Sequence, residues 1–191
     1  MEDEDLIPYY YPNKPNRIDP ELVSNYEKPN WIAERKKNGW RCLAIREPEK
    51  LDLWTSSHRL FPNPLPITRE ALAGLPPMTV IDGEMQNNRT KDIKDLFYAF
   101  DILMWEGKWL FGQPWRSRRA LLELATRDIE GILVSVPIHT GKKMLYQMAI
   151  EEGDEGIVMK ELDSTYLIAT KGTIDNPLWI KAKQPENCMR T

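Results

Sequence analysis

Hydrophobic and charged residues partly alternate over residues 31–46, which is the pattern of a half-buried strand. The dipeptide Asn38-Gly39 interrupts this alternation and is the strongest short signal for a hairpin turn. The pattern therefore predicts a hairpin that places Lys36 just before the turn and Arg41 just after it. Apolar runs predict further strands over residues 51–55, 78–81, 96–103, 132–136, 156–160 and 179–182.

Short helices are predicted where a capping residue precedes a helical pattern. The expected capping residues are Asp19, Thr68, Ser117 and Thr140, for helices that end near residues 26, 73, 127 and 153. Met144, Leu145 and Met148 form an apolar stripe on the last helix, and the two methionines are expected to fill the core. Many strands with few helices predict an α+β fold, in which antiparallel sheets are flanked by helices.

The chain of 191 residues is predicted to form one catalytic core with short extensions. Prolines and tyrosines dominate the first 18 residues and favour extended chain over a helix or a strand ladder. We expect residues 1–30 to form an extended arm and a short helix that pack on the core, residues 31–183 to form the core, and residues 184–191 to form a tail.

Composition excludes several classes of protein. With 26 Lys and Arg against 29 Asp and Glu, the net charge of −3 argues against nucleic-acid binding by bulk electrostatics. An acidic start and no apolar run of about 20 residues argue against export and a membrane span, so a cytoplasmic protein is expected. The cysteines and histidines lack the spacing of a zinc site; they are Cys42, Cys188, His58 and His139.

Several polar groups are placed where they could act in catalysis. Lys36 lies among other cations, which favour the neutral form that a nucleophilic lysine needs. Glu84 ends an apolar strand, and Glu155 opens one and could ligate Mg²⁺. Lys181 and Lys183 alternate along a strand, so both can face one phosphate. Each group taken alone also fits a solvated surface.

Taken together, five segments in this order resemble the covalent nucleotidyltransferases, and most closely the adenylation domain of ATP-dependent DNA ligases. The resemblance extends from about Trp31 to Lys183. Its segments are Lys36-Lys37-Asn38-Gly39-Trp40-Arg41, Asp82-Gly83-Glu84, Phe97-Tyr98-Ala99-Phe100-Asp101, Glu155-Gly156-Ile157-Val158-Met159-Lys160 and Trp179-Ile180-Lys181-Ala182-Lys183.

The resemblance implies that Lys36 attacks the α-phosphorus of ATP, expels pyrophosphate and carries AMP. Glu155 would bind Mg²⁺, and Lys181 and Lys183 would act as catalytic lysines that neutralise charge on the α-phosphate. The other nucleotide contacts that it implies are Glu34 at the adenine, Arg41 over the ribose and phosphate, Glu84 on the ribose hydroxyl, Phe100 on the base, and Lys160 as a weaker contact.

The chain departs from the family pattern at three places. Asn38 stands where Asp is usual, which keeps the turn and removes an anion that would favour the charged lysine. Arg59 follows Ser56-Ser57-His58 instead of forming a Ser-Arg pair, and is a candidate contact for phosphate or DNA. The tail is too short for the oligonucleotide-binding barrel of DNA ligases, so the chain is expected to be a fragment or a naturally minimal enzyme, with slower adenylation and a weaker grip on DNA in either case. An oligonucleotide-binding domain or a partner protein in trans is left open.

The resulting prediction is a monomeric, ATP-dependent polynucleotide ligase core that acts on nicked duplex DNA. An RNA ligase would use the same chemistry, and the sequence separates the two substrates poorly. An RNA-capping guanylyltransferase shares the lysine motif but fits the last two segments less well. A nucleotide-binding module that never transfers AMP is the alternative from another class.

Overall fold

The computed structural model describes residues 7–61, 65–86 and 95–184. Two sheets, in which most neighbouring strands run antiparallel, form its body, and helices pack against both. This arrangement confirms the predicted α+β class. Cys188, residues 1–6 of the predicted arm and residues 185–191 of the predicted tail lie outside the described residues. Within the described ranges, no helix is both long and apolar enough to cross a membrane.

The strands are numbered in chain order. They are β1 (Tyr11–Pro12), β2 (Lys14–Ile18), β3 (Trp31–Lys36), β4 (Trp40–Arg46), β5 (Leu51–Thr55), β6 (Thr79–Gln86), β7 (Leu96–Trp105), β8 (Lys108–Trp109), β9 (Ile132–Val134), β10 (Gly156–Glu161), β11 (Ile168–Ala169) and β12 (Asp175–Lys183). The helices are α1 (Pro66–Ala73), α2 (Trp115–Thr126) and α3 (Lys142–Glu151), and Pro20–Tyr26 forms a 3-10 helix.

A larger and a smaller sheet hold most of the strands, and β1 and β11 form a separate two-stranded sheet. The larger sheet has the order β5-β4-β6-β7-β8, and β9 pairs in parallel with β7. The smaller sheet has the order β2-β12-β10-β3, with β2 parallel to β12. Helix α2 packs on β7, and α3 packs on β3 and β10. Each sheet therefore buries an apolar face under a helix.

The predicted hairpin between β3 and β4 is wrong. Strand β3 pairs with β10, while β4 pairs with β5 and β6, so the two strands belong to different sheets. Asn38-Gly39 carries the chain from one sheet to the other. A Cβ atom on Gly39 would lie 2.5 Å from the carbonyl oxygen of Met85, so the crossing requires glycine. Pairing with distant strands has overridden the local turn signal.

Only one of the predicted helix caps is confirmed. The Asp19 carboxylate accepts the N–H of Glu21 at 2.9 Å and begins the 3-10 helix. Helix α1 begins before Thr68, and the carboxylate of Asp95 accepts the N–H groups of Ile67 and Thr68 at 2.8 and 3.1 Å. Tertiary contact thus supplies an anion to the N-terminus of α1.

The other two helices also begin without the expected cap. Helix α2 begins at Trp115 after Pro114, with no side-chain cap, so Ser117 lies within its first turn. Helix α3 follows Gly141, whose φ of 79° suits glycine, and Thr140 is not its cap. Met144 and Met148 of α3 are 62% and 45% exposed, so the prediction that they fill the core is wrong.

The N-terminal arm is extended as predicted, but it forms ladders that its composition did not predict. Strand β1 pairs with β11, and β2 joins the smaller sheet beside β12 despite Pro15. Proline is tolerated there because β2 is an edge strand. Strand β2 of the arm is therefore an edge of the smaller sheet, while β1 belongs to the separate pair with β11.

Candidate active site

A cavity of about 300 Å³ draws its walls from both sheets and the arm. Its lining includes most of the predicted site residues, namely Glu34, Lys36, Arg41, Glu84, Phe100, Glu155, Lys160 and Lys181. Arg59 and Lys183 are not among its lining residues. Lys36 and Arg41 line one cavity because the chain crosses between the sheets at Asn38-Gly39. Lys36 belongs to the smaller sheet and Arg41 to the larger one.

Lys36 is the last residue of β3, and its Nζ lies 2.8 Å from a carboxylate oxygen of Glu155. The backbone N–H of Glu155 also donates to the carbonyl of Lys36 at 2.9 Å. Gly156 then opens β10 with a φ of 144° and packs against the backbone of β12. The lysine and carboxylate are thus fixed by backbone pairing as well as by charge.

The cations on either side of Lys36 are paired with a different carboxylate. Arg35 and Lys37 contact Asp154 at 2.5 and 3.1 Å, and Arg35 also contacts Glu152 at 2.6 Å. Arg35 and Lys37 also line the cavity, so the three cations differ in their carboxylate partner and not in the cavity that they border. Among the three consecutive cations, the structure places Lys36 beside Glu155.

Glu34 lies on the same strand as Lys36 and is buried in a network of donors. One carboxylate oxygen accepts the Ser135 hydroxyl at 2.6 Å and Arg119 Nη1 at 3.1 Å, and the other lies 2.7 Å from Lys160 Nζ. Lys160 is itself 2% exposed and lies 4.4 Å from the centroid of the Trp179 ring. Two cations therefore compensate the charge of Glu34.

Arg41 of β4 is held by Asp82, which lies on the neighbouring strand of the sheet, β6. Its guanidinium contacts both oxygens of Asp82 at 3.0 and 2.5 Å, and it donates to the carbonyl oxygen of Asn13 at 2.5 Å. The Tyr166 hydroxyl donates to Asp82 at 2.5 Å. Burial opposes the charge of Arg41, but Asp82, Tyr166 and Glu84 together outweigh it, so the pKa of Arg41 is raised.

Glu84 faces the same cavity from β6. Burial raises its pKa from an ordinary value of 4.5 to about 7, against the opposing attraction of Lys36 and Arg41. Repulsion from Glu155 and Asp82 adds to the rise. Phe100 forms another part of the wall, and Arg41 lies 5.4 Å from the centroid of its ring. The cavity therefore combines an aromatic face with carboxyl and cationic groups.

The two lysines of β12 occupy different positions. Lys181 lines the cavity, and its pKa is lowered by burial and then by repulsion from Lys36, Lys183 and Lys14. Lys183 lies opposite Gly156 in the β10–β12 ladder and borders a separate cavity beside Arg17. Of the two lysines that were predicted to face one phosphate, Lys181 therefore lies in the cavity and Lys183 lies at its flank.

Arg59 follows the turn after β5 and is exposed. Ser56 of the same turn does line the cavity. The ring of His58 stacks on Tyr9 of the arm, with centroids 4.2 Å apart. The turn therefore packs against the arm. Its Ser56 faces the cavity, and the following Arg59 faces solvent.

No group of three or more His, Cys, Asp or Glu side chains suited to a metal ion occurs in the part of the chain that the structure describes. Glu155 and Glu84 are close enough for the charge of one to affect the other. Mg²⁺ is commonly held by one or two carboxylates together with substrate phosphates and water. The carboxylates of this cavity fit such a site.

Sequence reasoning missed the groups that position the predicted residues. Asp82 was read only as a neighbour of Glu84, and neither Tyr166 nor Asn13 carries a local signal. Ser135 was predicted only within a strand, and Arg119 within a helix of the stretch that resembles DNA ligases, without a role in the site. The buried ion pairs became visible only once the sheets were assembled.

Two sheets that meet at a cavity lined by a lysine, carboxylates and an aromatic ring agree with the predicted nucleotidyltransferase fold. The model of the ATP dependent DNA ligase domain family matches residues 77–183, which is more than half of the chain. The chain belongs to this family.

Individual relatives agree with this assignment. The multifunctional non-homologous end joining protein LigD of Mycolicibacterium smegmatis is 26% identical over 175 residues, which are 84% of this chain and 22% of that protein. A DNA ligase of Methanocorpusculum labreanum is 34% identical over 86 residues, covering 45% of this chain and 15% of that protein. The chain thus spans about a fifth of the length of the LigD relative.

Solved structures show the same fold. Mycobacterial DNA ligase D complexed with ATP and MES superposes with a TM-score of 0.73 at 25% identity, over 91% of this chain and 60% of that one. The ligase domain of LigD from M. tuberculosis gives a TM-score of 0.71 at 24% identity, over 90% of this chain and 59% of that one.

Proposed function

We propose that the protein is the adenylation core of an ATP-dependent DNA ligase, which takes AMP from ATP onto Lys36 and passes it to a 5′-phosphate. The observation that carries the proposal is the position of Lys36, 2.8 Å from Glu155 in a cavity that Lys181 and Glu84 also line. Family membership supports the same reaction.

The first step forms one bond and breaks one. Lys36 loses a proton, its neutral Nζ attacks the α-phosphorus of ATP, and a P–N bond replaces the bond to pyrophosphate. The nitrogen releases a second proton as the phosphoramidate forms. Positioning and charge neutralisation are the main requirements of phosphoryl transfer.

The cluster of cations around Lys181 supports a phosphate site. Burial and three neighbouring lysines lower the pKa of Lys181, so this wall has an excess of positive charge. A polyphosphate would relieve that repulsion, and Lys181 would then neutralise charge that develops on the α-phosphate. Lys183 would act from the flank of the cavity.

The nucleoside would occupy the wall opposite the lysines. Phe100 would stack on the base, and Glu34, two residues before Lys36 on β3, would lie at its edge. Glu84 would accept or donate a hydrogen bond at the ribose hydroxyl, depending on its protonation. Arg41 would contribute positive charge over the ribose and phosphate while Asp82 holds it in place. Lys160 would hold Glu34 in place.

Glu155 is the residue that would hold Mg²⁺. Mg²⁺ held there would neutralise phosphate charge. Glu155 would keep Lys36 in position before the nucleotide arrives, through their contact at 2.8 Å. Its contact with the Lys36 backbone remains in either case.

AMP would next pass to the 5′-phosphate of a nicked duplex, and a 3′-hydroxyl would then displace it to close the strand. Arg59, exposed beside the cavity, would contact phosphate or DNA. An oligonucleotide-binding domain or a partner protein in trans would strengthen the grip on the duplex. A role in DNA repair accords with the name of the relatives from Mycobacterium tuberculosis, the multifunctional non-homologous end joining DNA repair protein LigD.

The test uses ATP labelled at the α-phosphate, Mg²⁺, and the wild-type and Lys36→Ala proteins. We expect label on the wild-type chain alone, and sealing of nicked DNA that is already adenylated. Absence of label on the wild type would refute the proposal. Sealing of adenylated RNA duplex but not DNA would identify an RNA ligase instead.

A further inference from the structure

One cation of the cavity comes from the N-terminal arm and lies outside both the matched family segment and the motifs of the sequence. Lys14, in β2, lines the same cavity as Lys36 and Lys181. It is exposed, whereas the other two lysines are partly buried. Lys14 therefore lies on the open side of the cavity.

The backbone of the arm fixes the position of Lys14. Its N–H donates to the carbonyl oxygen of Ile174 at 2.8 Å, and β2 pairs in parallel with the strand that carries Lys181. The preceding residue, Asn13, accepts a hydrogen bond from Arg41 at 2.5 Å. Contacts with Ile174, with β12 and with Arg41 of β4 therefore hold the arm in register beside the cavity.

The electrostatics of this wall indicate a ligand with several negative charges. Lys36, Lys183 and Lys14 each repel the charge of Lys181, and Asp175 only partly offsets them. Like charges held together at a cavity are costly unless an anion joins them. An α-phosphate beside Lys36 and Lys181 leaves two further phosphate groups of ATP to be matched by an outer cation.

We propose that Lys14 binds the β- and γ-phosphates of ATP and orients pyrophosphate as the leaving group. This inference rests on the proposed adenylation of Lys36. In-line attack requires pyrophosphate to leave on the side away from the Lys36 nitrogen. An exposed lysine held by the arm can follow it toward solvent, because its long side chain is a mobile point charge.

The first test measures the initial rate of self-adenylation against ATP concentration. Lys14→Ala should raise the KM for ATP by about tenfold, as expected for one charged contact. Lys14→Arg should restore most of the affinity. Lys28→Ala is the matched control, because Lys28 is an exposed lysine of the same N-terminal region that does not line the cavity.

The second test uses purified AMP-bound protein and inorganic pyrophosphate. Lys14→Ala should need about tenfold more pyrophosphate to release ATP, because the same phosphate contacts are lost. Sealing of pre-adenylated nicked DNA should be unchanged, since no pyrophosphate takes part in that step. Unchanged dependence on both ATP and pyrophosphate would overturn the inference, and so would a defect confined to sealing, which would assign Lys14 to the 5′-phosphate of the nick.

Calorimetric binding of ATP to the Lys36→Ala protein separates this inference from the proposed function. The double variant Lys14→Ala, Lys36→Ala should bind ATP about tenfold more weakly than Lys36→Ala alone. If wild-type protein takes up no label but this difference is present, the proposed function fails while the phosphate contact of Lys14 stands. If both bind ATP equally, the contact is refuted.

Discussion

The buried carboxyl of Glu84 should make the stability of the protein depend on pH in a defined direction. Its pKa rises from 4.5 to about 7 on folding, so the folded protein holds this proton over a range where the unfolded chain has lost it. Wild-type stability should therefore fall, through this group, as pH rises from 4.5 to 7. At about 1.4 kcal/mol for each pH unit, the contribution reaches about 3 kcal/mol.

The variant Glu84→Gln isolates this effect because glutamine resembles the protonated acid and cannot ionise. Near pH 4.5 the variant and the wild type should be similarly stable, and by pH 7.5 the variant should be more stable by up to about 3 kcal/mol. Urea unfolding at several pH values gives the difference. Glu130→Gln, in an exposed turn, controls for the loss of one carboxylate. A difference that is constant, or that shrinks with rising pH, would refute the reasoning.

Three further substitutions test the contacts that hold the site in place. Arg118→Met would leave Asp101 buried without its bidentate partner, so urea unfolding should show a loss of about 3–5 kcal/mol, and a loss below about 1 kcal/mol would contradict the pairing. Tyr166→Phe removes the hydroxyl that donates to Asp82 and should cost about 1–2 kcal/mol in thermal unfolding, with no loss arguing against this bond. Asp95→Ala removes the cap of α1 and should cost about 1 kcal/mol, measured by the same method, and an unchanged melting temperature would show that the cap is dispensable.

Much of the local structure could be predicted because it depends on patterns within one segment. The apolar runs of β6 and β7 identify buried strands, and Asp19-Pro20 identifies the start of the 3-10 helix. Most of the candidate residues in the motifs lie at one cavity. Each motif is at the end of a strand, or along a strand, that borders this cavity.

The errors share a physical cause, which is that long-range contacts decided the outcome. Asn38-Gly39 has the local signal of a hairpin, but β3 pairs with β10, as Lys36 with Gly156 illustrates, and β4 pairs with the following strand β5 and with the more distant β6. Asp95 caps α1 from 28 residues further along the chain. Neither contact can be predicted from the spacing of nearby residues.

The polar groups that support the site were equally hidden. Arg119 has the sequence signature of an ordinary helical surface residue, yet it is 8% exposed and contacts Glu34. Conversely, the apolar stripe of α3 suggested core residues, but Met144 is largely exposed because α3 covers the sheet with a different face. Only the packed arrangement of helix and sheet distinguishes these cases.

The covalent attachment of AMP to Lys36 is the central claim, and its most direct test is the intact mass of the protein after incubation with ATP and Mg²⁺. The account predicts a gain equal to one AMP group, which peptide mapping locates on Lys36 and which pyrophosphate removes. No gain in mass, or AMP on another residue while Lys36→Ala is still modified, would contradict it.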